Sequence, residues 1–249
     1  MNALLVERQV GNMERRELSL RWNDADTGCT VVMATPHAEP RLWREYLGGA
    51  RRSYRKFGVE DALELDSVRD GHDTALFFAV LDDSGRMIGG VRAKGPLESA
   101  EESHALVEWE GHPGQAAVRK MIDDRVPFGI LEMKAAWVCA EDKDSGSVAK
   151  ALARTGFWAM ALLDVQFCMA TAAAYVLERW KSSGGVVAPI PAAPYPTESY
   201  HTKMMWWDRR TFANHGEPEQ VAKILAEMSN VTRLAYESDA LSPVLETAL

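Results

Sequence analysis

The sequence predicts an α/β protein in which a mixed sheet of about seven strands is flanked by helices. Three observations predict it. Residues 75–93 read as a tight β-hairpin. Residues 129–162 read as a strand, a polar turn and a helix. Strands alternate with helices along the rest of the chain, the pattern of a mixed sheet with right-handed middle crossovers. With 249 residues, about 47% of them hydrophobic, the chain suits one large domain, or one domain with terminal extensions.

Taken in order, residues 1–28 are charged and weakly patterned and end in the turn-rich run Asn23-Asp24-Ala25-Asp26-Thr27-Gly28. Residues 29–34 are β-branched and apolar and form the first expected strand. After Pro36 and Pro40, a helix is expected over 41–57, because Leu42, Tyr46 and Ala50 recur every four residues with Trp43 and Leu47 alongside. Gly48-Gly49 is its weak point, where it is prone to split. In the hairpin, strands 75–81 and 86–93 flank Asp82-Asp83-Ser84-Gly85, and Gly85 tolerates the positive φ of a tight turn. Residues 95–128 form a long excursion holding a helix over 113–124. A strand over 129–139 leads to a helix over 145–162 with Ser145 as N-cap. A strand over 164–170 is followed by a helix over 171–181, stopped by Ser182-Ser183-Gly184-Gly185. Strands over 186–190 and 200–207, joined by a proline-rich loop, and a helix over 218–229 complete the pattern.

Composition excludes several function classes. Acidic residues outnumber basic ones, 36 to 28, for a formal charge of −8, whereas nucleic-acid binders carry a basic excess or stripe. No apolar run approaches the roughly 20 residues that cross a bilayer, and the first residues show no secretory pattern, so a cytoplasmic protein is expected. Cys29, Cys139 and Cys168 are widely spaced and odd in number, which fits neither a disulfide framework nor a zinc motif. The histidines at 37, 72, 104, 112, 201 and 215 form no H-x-x-x-H pair and read as surface or loop residues rather than metal ligands. Phosphate-loop, dinucleotide and nucleophile-elbow motifs are absent.

The strand over 129–139 carries the chemistry. Strict alternation puts Ile130, Glu132, Lys134, Ala136 and Val138 on one face, and Leu131, Met133, Ala135, Trp137 and Cys139 on the other. A carboxylate and an ammonium two residues apart in a central strand point to a cleft opening on that face, where a carboxylate suits a general base. The alternative is a Glu132–Lys134 ion pair on a wetted face. The turn after it, through Gly146 to the helix start, has the form of an anion site on free amides; the alternative is an ordinary capped helix beside an acidic loop. Arg51, Arg52 and Arg55 form the one basic cluster, a candidate grip for a carboxylate or a solvated helix face.

Together these parts resemble the GNAT acyltransferase fold. Residues 77–92 resemble its central hairpin, and 131–162 its cofactor-binding strand, loop and helix. The likeness spans 29–208, leaving 1–28 as an N-terminal extension and 209–249 as a C-terminal helical one. Within that superfamily the chain is most similar to acyl-homoserine-lactone synthases and long-chain N-acyl amino acid synthases. The carriers are 46–66, the run Ile122-Asp123-Asp124-Arg125-Val126-Pro127-Phe128-Gly129-Ile130-Leu131-Glu132 with a basic residue two further on, and the glycine-terminated helix ending at Gly184.

The resemblance implies a mostly antiparallel sheet and transfer of an acyl group from a thioester, acyl-CoA or acyl carrier protein, to a small-molecule amine such as an amino acid. It implies Glu132 as base with Lys134 beside it, donor contacts along Val138, Cys139 and Ala140 with a backbone N–H near Val138 polarising the thioester, and the phosphate end at Gly146 and Ser147. The motif reads Lys143-x-x-Gly146-x-Val148, where the family prefers Gln or Arg first and Gly or Ala last; this is easier to reconcile with a carrier-protein donor. Arg51, Arg52 and Arg55 would meet an acceptor carboxylate. No metal is implied. The rival readings are an inactive GNAT-fold binding or assembly module, and an interaction protein using Tyr200, Trp206 and Trp207, of which one tryptophan would face the core and the other outward.

Overall fold

The computed structural model describes residues 17–139, 141 and 144–241. The mixed run β1 (Ser19–Asn23) pairs with the β-branched, apolar run β2 (Thr30–Ala34). Helix α1 (Pro40–Lys56) and the short α2 (Leu65–Val68) lead to the hairpin β3 (Thr74–Leu81) and β4 (Met87–Lys94). The excursion contains α3 (Ala105–Glu108) and α4 (Gln115–Asp123). Next come β5 (Ile130–Val138), α5 (Ser145–Leu162), β6 (Phe167–Ala173), α6 (Ala174–Lys181), β7 (Val186–Val187), β8 (Ala193–Pro194), β9 (His201–Asp208) and α7 (Pro218–Leu241). The sheet has nine strands in the order β1-β2-β3-β4-β5-β6-β9-β7, with β8 also on β9. Among the described residues only β5 and β6 are parallel neighbours.

Several elements differ from the sequence expectation, each for a local reason. Residues 19–23 belong to the sheet, because Leu20 faces the core opposite Met33. Helix α1 runs unbroken through Gly48 and Gly49: a Cβ on Gly49 would stand 2.0 Å from the Trp137 indole, so glycine is there to admit that ring. Asp144, not Ser145, is the N-cap of α5, and its side chain makes no capping bond. Strand β6 starts three residues later than expected, since Asp164 takes a left-handed turn (φ 49) and the Val165 N–H still bonds Met160 in α5.

The largest correction lies in β5. Between the pairs Gly90↔Trp137 and Arg92↔Lys134 it has one residue more than β4, and Ala135 sits at φ 52. This bulge swaps the faces of Ala136, Trp137 and Val138. Trp137 joins Tyr46 and Phe77 under α1, while Ala136, Val138 and Cys139 pack with Met133 on the opposite side.

One face of the sheet, covered by α5 and α7, is a continuous apolar cluster. The other carries two separate clusters, one under α1 and one under the 95–128 excursion. Both Trp206 and Trp207 are buried, because both faces at β9 are covered: Trp206 meets the excursion and Trp207 the α5 side. Arg154 of α5 is fully buried and joins three parts of the chain. It pairs with Asp24 in the β1–β2 turn, donates from Nε to Glu227 Oε2 (2.8 Å) in α7, and bonds Gln220 (3.2 Å).

Candidate active site

The charged residues of β4 and β5 meet in the gap between the two apolar clusters. Strand register sets Lys94 opposite Glu132 and Arg92 opposite Lys134. The excursion folds over them and lowers His104 and Glu108 onto the same spot. Glu132 is fully buried. Its Oε2 accepts the His104 backbone N–H (3.1 Å). Its Oε1 lies 3.8 Å from Lys134 Nζ and has no hydrogen bond. Glu108 Oε1 accepts the Thr171 hydroxyl (2.8 Å), while its Oε2 is buried and unbonded.

Electrostatics follow from burial. Burial pushes the Glu108 carboxyl up to about 7, against the pull of Lys134 and with added repulsion from Glu132. Burial lowers the Lys134 ammonium, opposed by the attraction of Glu132 and Glu108. His104 is held down to about 3, first by burial and then by Lys134, Lys94 and Arg92. The neutral ring donates from Nδ1 to Glu64 (2.9 Å) and accepts the Tyr195 hydroxyl at Nε2 (2.9 Å). Arg92 is locked by Asp73 and Thr74, both 2.9 Å from its Nη1. Burial, reinforced by the Glu108 charge, raises the phenols of Tyr54 and Tyr195, the latter to about 12.

The parallel strands part beside these carboxylates. Pairing of β5 with β6 runs from Ile130↔Phe167 to Met133↔Ala170 and stops, while β6 continues against β9 to Ala173. Thr171, the residue that holds Glu108, is therefore the first beyond the paired stretch. The opening begins after Met133, five residues before Val138 and just ahead of the bulge at Ala135. Val138 still pairs Gly89, and the Cys139 N–H bonds Ile88 (2.7 Å) on the β4 side.

Of the other residues singled out by sequence, Gly146 is exposed with open space where a Cβ would stand. The first helical bond of α5 is Val148 to Asp144, so the amides of Ser145, Gly146 and Ser147 precede it. Ala140, Asp142 and Lys143 lie outside the described residues. Arg51 and Arg55 pair with Glu60 on the exposed side of α1, and among the described residues neither they nor Arg52 has a polar contact with Glu108, Glu132 or Lys134. His104, expected at the surface, is buried because the excursion packs on the sheet. Sequence reading missed Glu108, Thr171, Arg92 and Tyr195. Arg92 and Lys94 carried the same signal as Glu132 and Lys134, two charges at i and i+2 in an apolar strand, and Glu108 stands alone among Ala105, Leu106, Val107 and Trp109. On the α5 side of the sheet, beneath the paired stretch of β5 and β6, Met133, Gly156, Cys168 and Trp180 line a small apolar cavity of about 10 Å³. No group of residues suited to a metal ion occurs among the described residues.

Uncharacterized proteins of Mycobacterium tuberculosis (strain H37Rv) and Mycobacterium bovis are each 54% identical to this chain over 210 residues, 84% of this chain and 80% of theirs. No protein-family model matches. Among solved structures, FeeM, an N-acyl amino acid synthase from uncultured soil microbes, superposes with a TM-score of 0.52 over 73% of this chain and 92% of FeeM, at 13% identity, a likeness of fold.

Proposed function

This chain belongs to one family with the two mycobacterial proteins and has the GNAT acyltransferase fold, and from that premise we propose that it is an N-acyltransferase moving an acyl group from a thioester to the amine of a small molecule, such as an amino acid or its derivative. The observation that carries the reading is the pair of buried carboxylate oxygens, Glu132 Oε1 and Glu108 Oε2, without hydrogen-bond donors where β5 and β6 part. Buried acceptors without donors are costly, and an incoming ammonium supplies the donors.

In this reading Glu132 takes one proton from the ammonium as general base, and Glu108 holds a second N–H. The freed lone pair attacks the thioester carbonyl, forming the C–N bond. The backbone amides of β5 beyond Met133 have no β6 partner and receive the oxyanion, the role assigned to the main chain near Val138. The C–S bond then breaks, and the thiolate takes the second amine proton, leaving amide and free thiol. Lys134 balances the two carboxylates. Lys94, opposite Glu132 in the strand register, would meet an acceptor carboxylate in place of Arg51, Arg52 and Arg55. Val138, Cys139 and Ala140 would run along the pantetheine arm, with Gly146 and Ser147 at its phosphate.

The test is thiol release and product mass with acetyl-CoA, longer acyl-CoAs and an acylated carrier protein, each against a pool of amino acids. Amine-dependent release from at least one of these donors is expected. Donor binding without release from any of them would favour the inactive binding module instead.

A further inference from the structure

A second cavity lies on the same face of the sheet, well away from the carboxylates. It is lined by Met121, Arg125, Phe167, Val186, Trp206 and Asp208 among others and encloses about 250 Å³. At about 30 Å³ per water-sized group it has room for roughly eight of them. Phe167 starts β6, four residues before Thr171, so roughly 13 Å of strand separates this cavity from Glu108. Met169, Ile130 and Met204, all fully buried, fill the space between. The cavity's mouth is at the exposed residues Pro189, Thr211 and His215.

Arg125 is the unusual member. Its guanidinium lies over the rings of Trp206 (4.5 Å) and Phe167 (5.2 Å). Its one hydrogen bond runs from Nη1 to the Met121 carbonyl (2.9 Å), and among the described residues no carboxylate oxygen comes within 4.0 Å of it. The half-buried cation thus has aromatic contacts but no counter-charge. Among the described residues Arg125 Nε and Trp206 Nε1 are buried donors with no partner, so the wall has donors in surplus. The acid lining the cavity, Asp208, is itself engaged, its Oδ1 accepting Gln166 (3.2 Å) and the Arg210 N–H (2.9 Å). A guanidinium held between two perpendicular rings keeps a planar N–H fork suited to a carboxylate, and the apolar walls suit a flat apolar body.

We propose that this cavity binds a small carboxylate with a flat apolar body, anchored by Arg125 and separate from the acyl-transfer cleft. Benzoate and its uncharged analogue benzamide are the probes, titrated calorimetrically into the full chain with no acyl donor present, so the outcome is independent of catalysis. Benzoate should bind and shift the indole N–H resonance that Trp206→Phe removes. Benzamide should bind about 10-fold more weakly, the difference made by one charge-assisted contact. Arg125→Met should weaken benzoate by a similar factor and leave benzamide unchanged. If Arg125→Met fails to fold by circular dichroism, Arg125→Lys decides: it keeps the charge without the fork and should still lower benzoate affinity. Absence of benzoate binding, equal affinity for benzamide, or benzoate affinity indifferent to the Arg125 variant that folds would each overturn the proposal.

Discussion

Under α5 and α7 the sheet buries one unbroken apolar cluster, from Val31 and Met33 through Phe78, Leu131 and Met133 to Met205 and Trp207. Across the sheet, the face under α1 and the excursion is divided, and Arg92, Glu108, Glu132 and Lys134 fill the division. The apolar side gains stability with every methylene it buries. The charged seam does not, because ions buried with unmet hydrogen-bonding capacity cost more than their mutual attraction returns. The comparison teaches that stability and chemistry are assigned to opposite sides of the same strands.

Four substitutions break or sharpen that contrast. The largest effect is expected from Phe157→Ala on the apolar side, where a fully buried ring is lost: about 3–5 kcal/mol of stability by denaturant unfolding. Next is Glu132→Gln in the seam. It should fold like the parent and lose turnover on the order of 10²-fold in single-turnover acylation; an unchanged rate would move the base to Glu108.

The third is Glu108→Gln, read as stability against pH. The folded carboxyl titrates at about 7 rather than the ordinary 4.5. Its contribution is therefore complete below pH 4.5 and is lost as pH rises through 7. The variant lacks this loss, so its stability relative to the parent should climb across that window by on the order of 1–3 kcal/mol. His104, lowered to about 3, works in the opposite sense between 6.5 and 3 and cancels in the difference. A flat difference would mean that Glu108 ionises freely. The smallest effect belongs to Arg51→Ala, whose partner Glu60 is at the surface. Stability and acceptor KM should both stay put, and a raised KM would return the acceptor carboxylate to α1.

Much of this was legible in the sequence. The hairpin was found because turn chemistry and alternation agree there, and β5 because an apolar run carries Glu132 and Lys134. What stayed hidden depends on long-range geometry. Alternation could not see the extra residue at Ala135, since a bulge is decided by pairing with β4. Glu108 and His104 reach the seam only because the excursion packs its Trp109, Val118 and Ile122 against Ile130 and Met169. Nothing local announces which residues of a 34-residue connection will touch a strand that follows it.

The Arg154 network has a consequence in time rather than in space. Its ties to Asp24 and Glu227 span 130 and 73 residues, and contacts so distant in sequence are among the last a chain completes. During synthesis the guanidinium emerges long before Glu227 does. At about 5–20 residues per second the wait lasts several seconds. Through that interval the outer side of α5 is uncovered, and Asp24 is the only carboxylate of the finished network besides Asp26 that the arginine can reach. Until α7 is synthesised, Arg154 therefore lacks the Gln220 and Glu227 partners that complete its network.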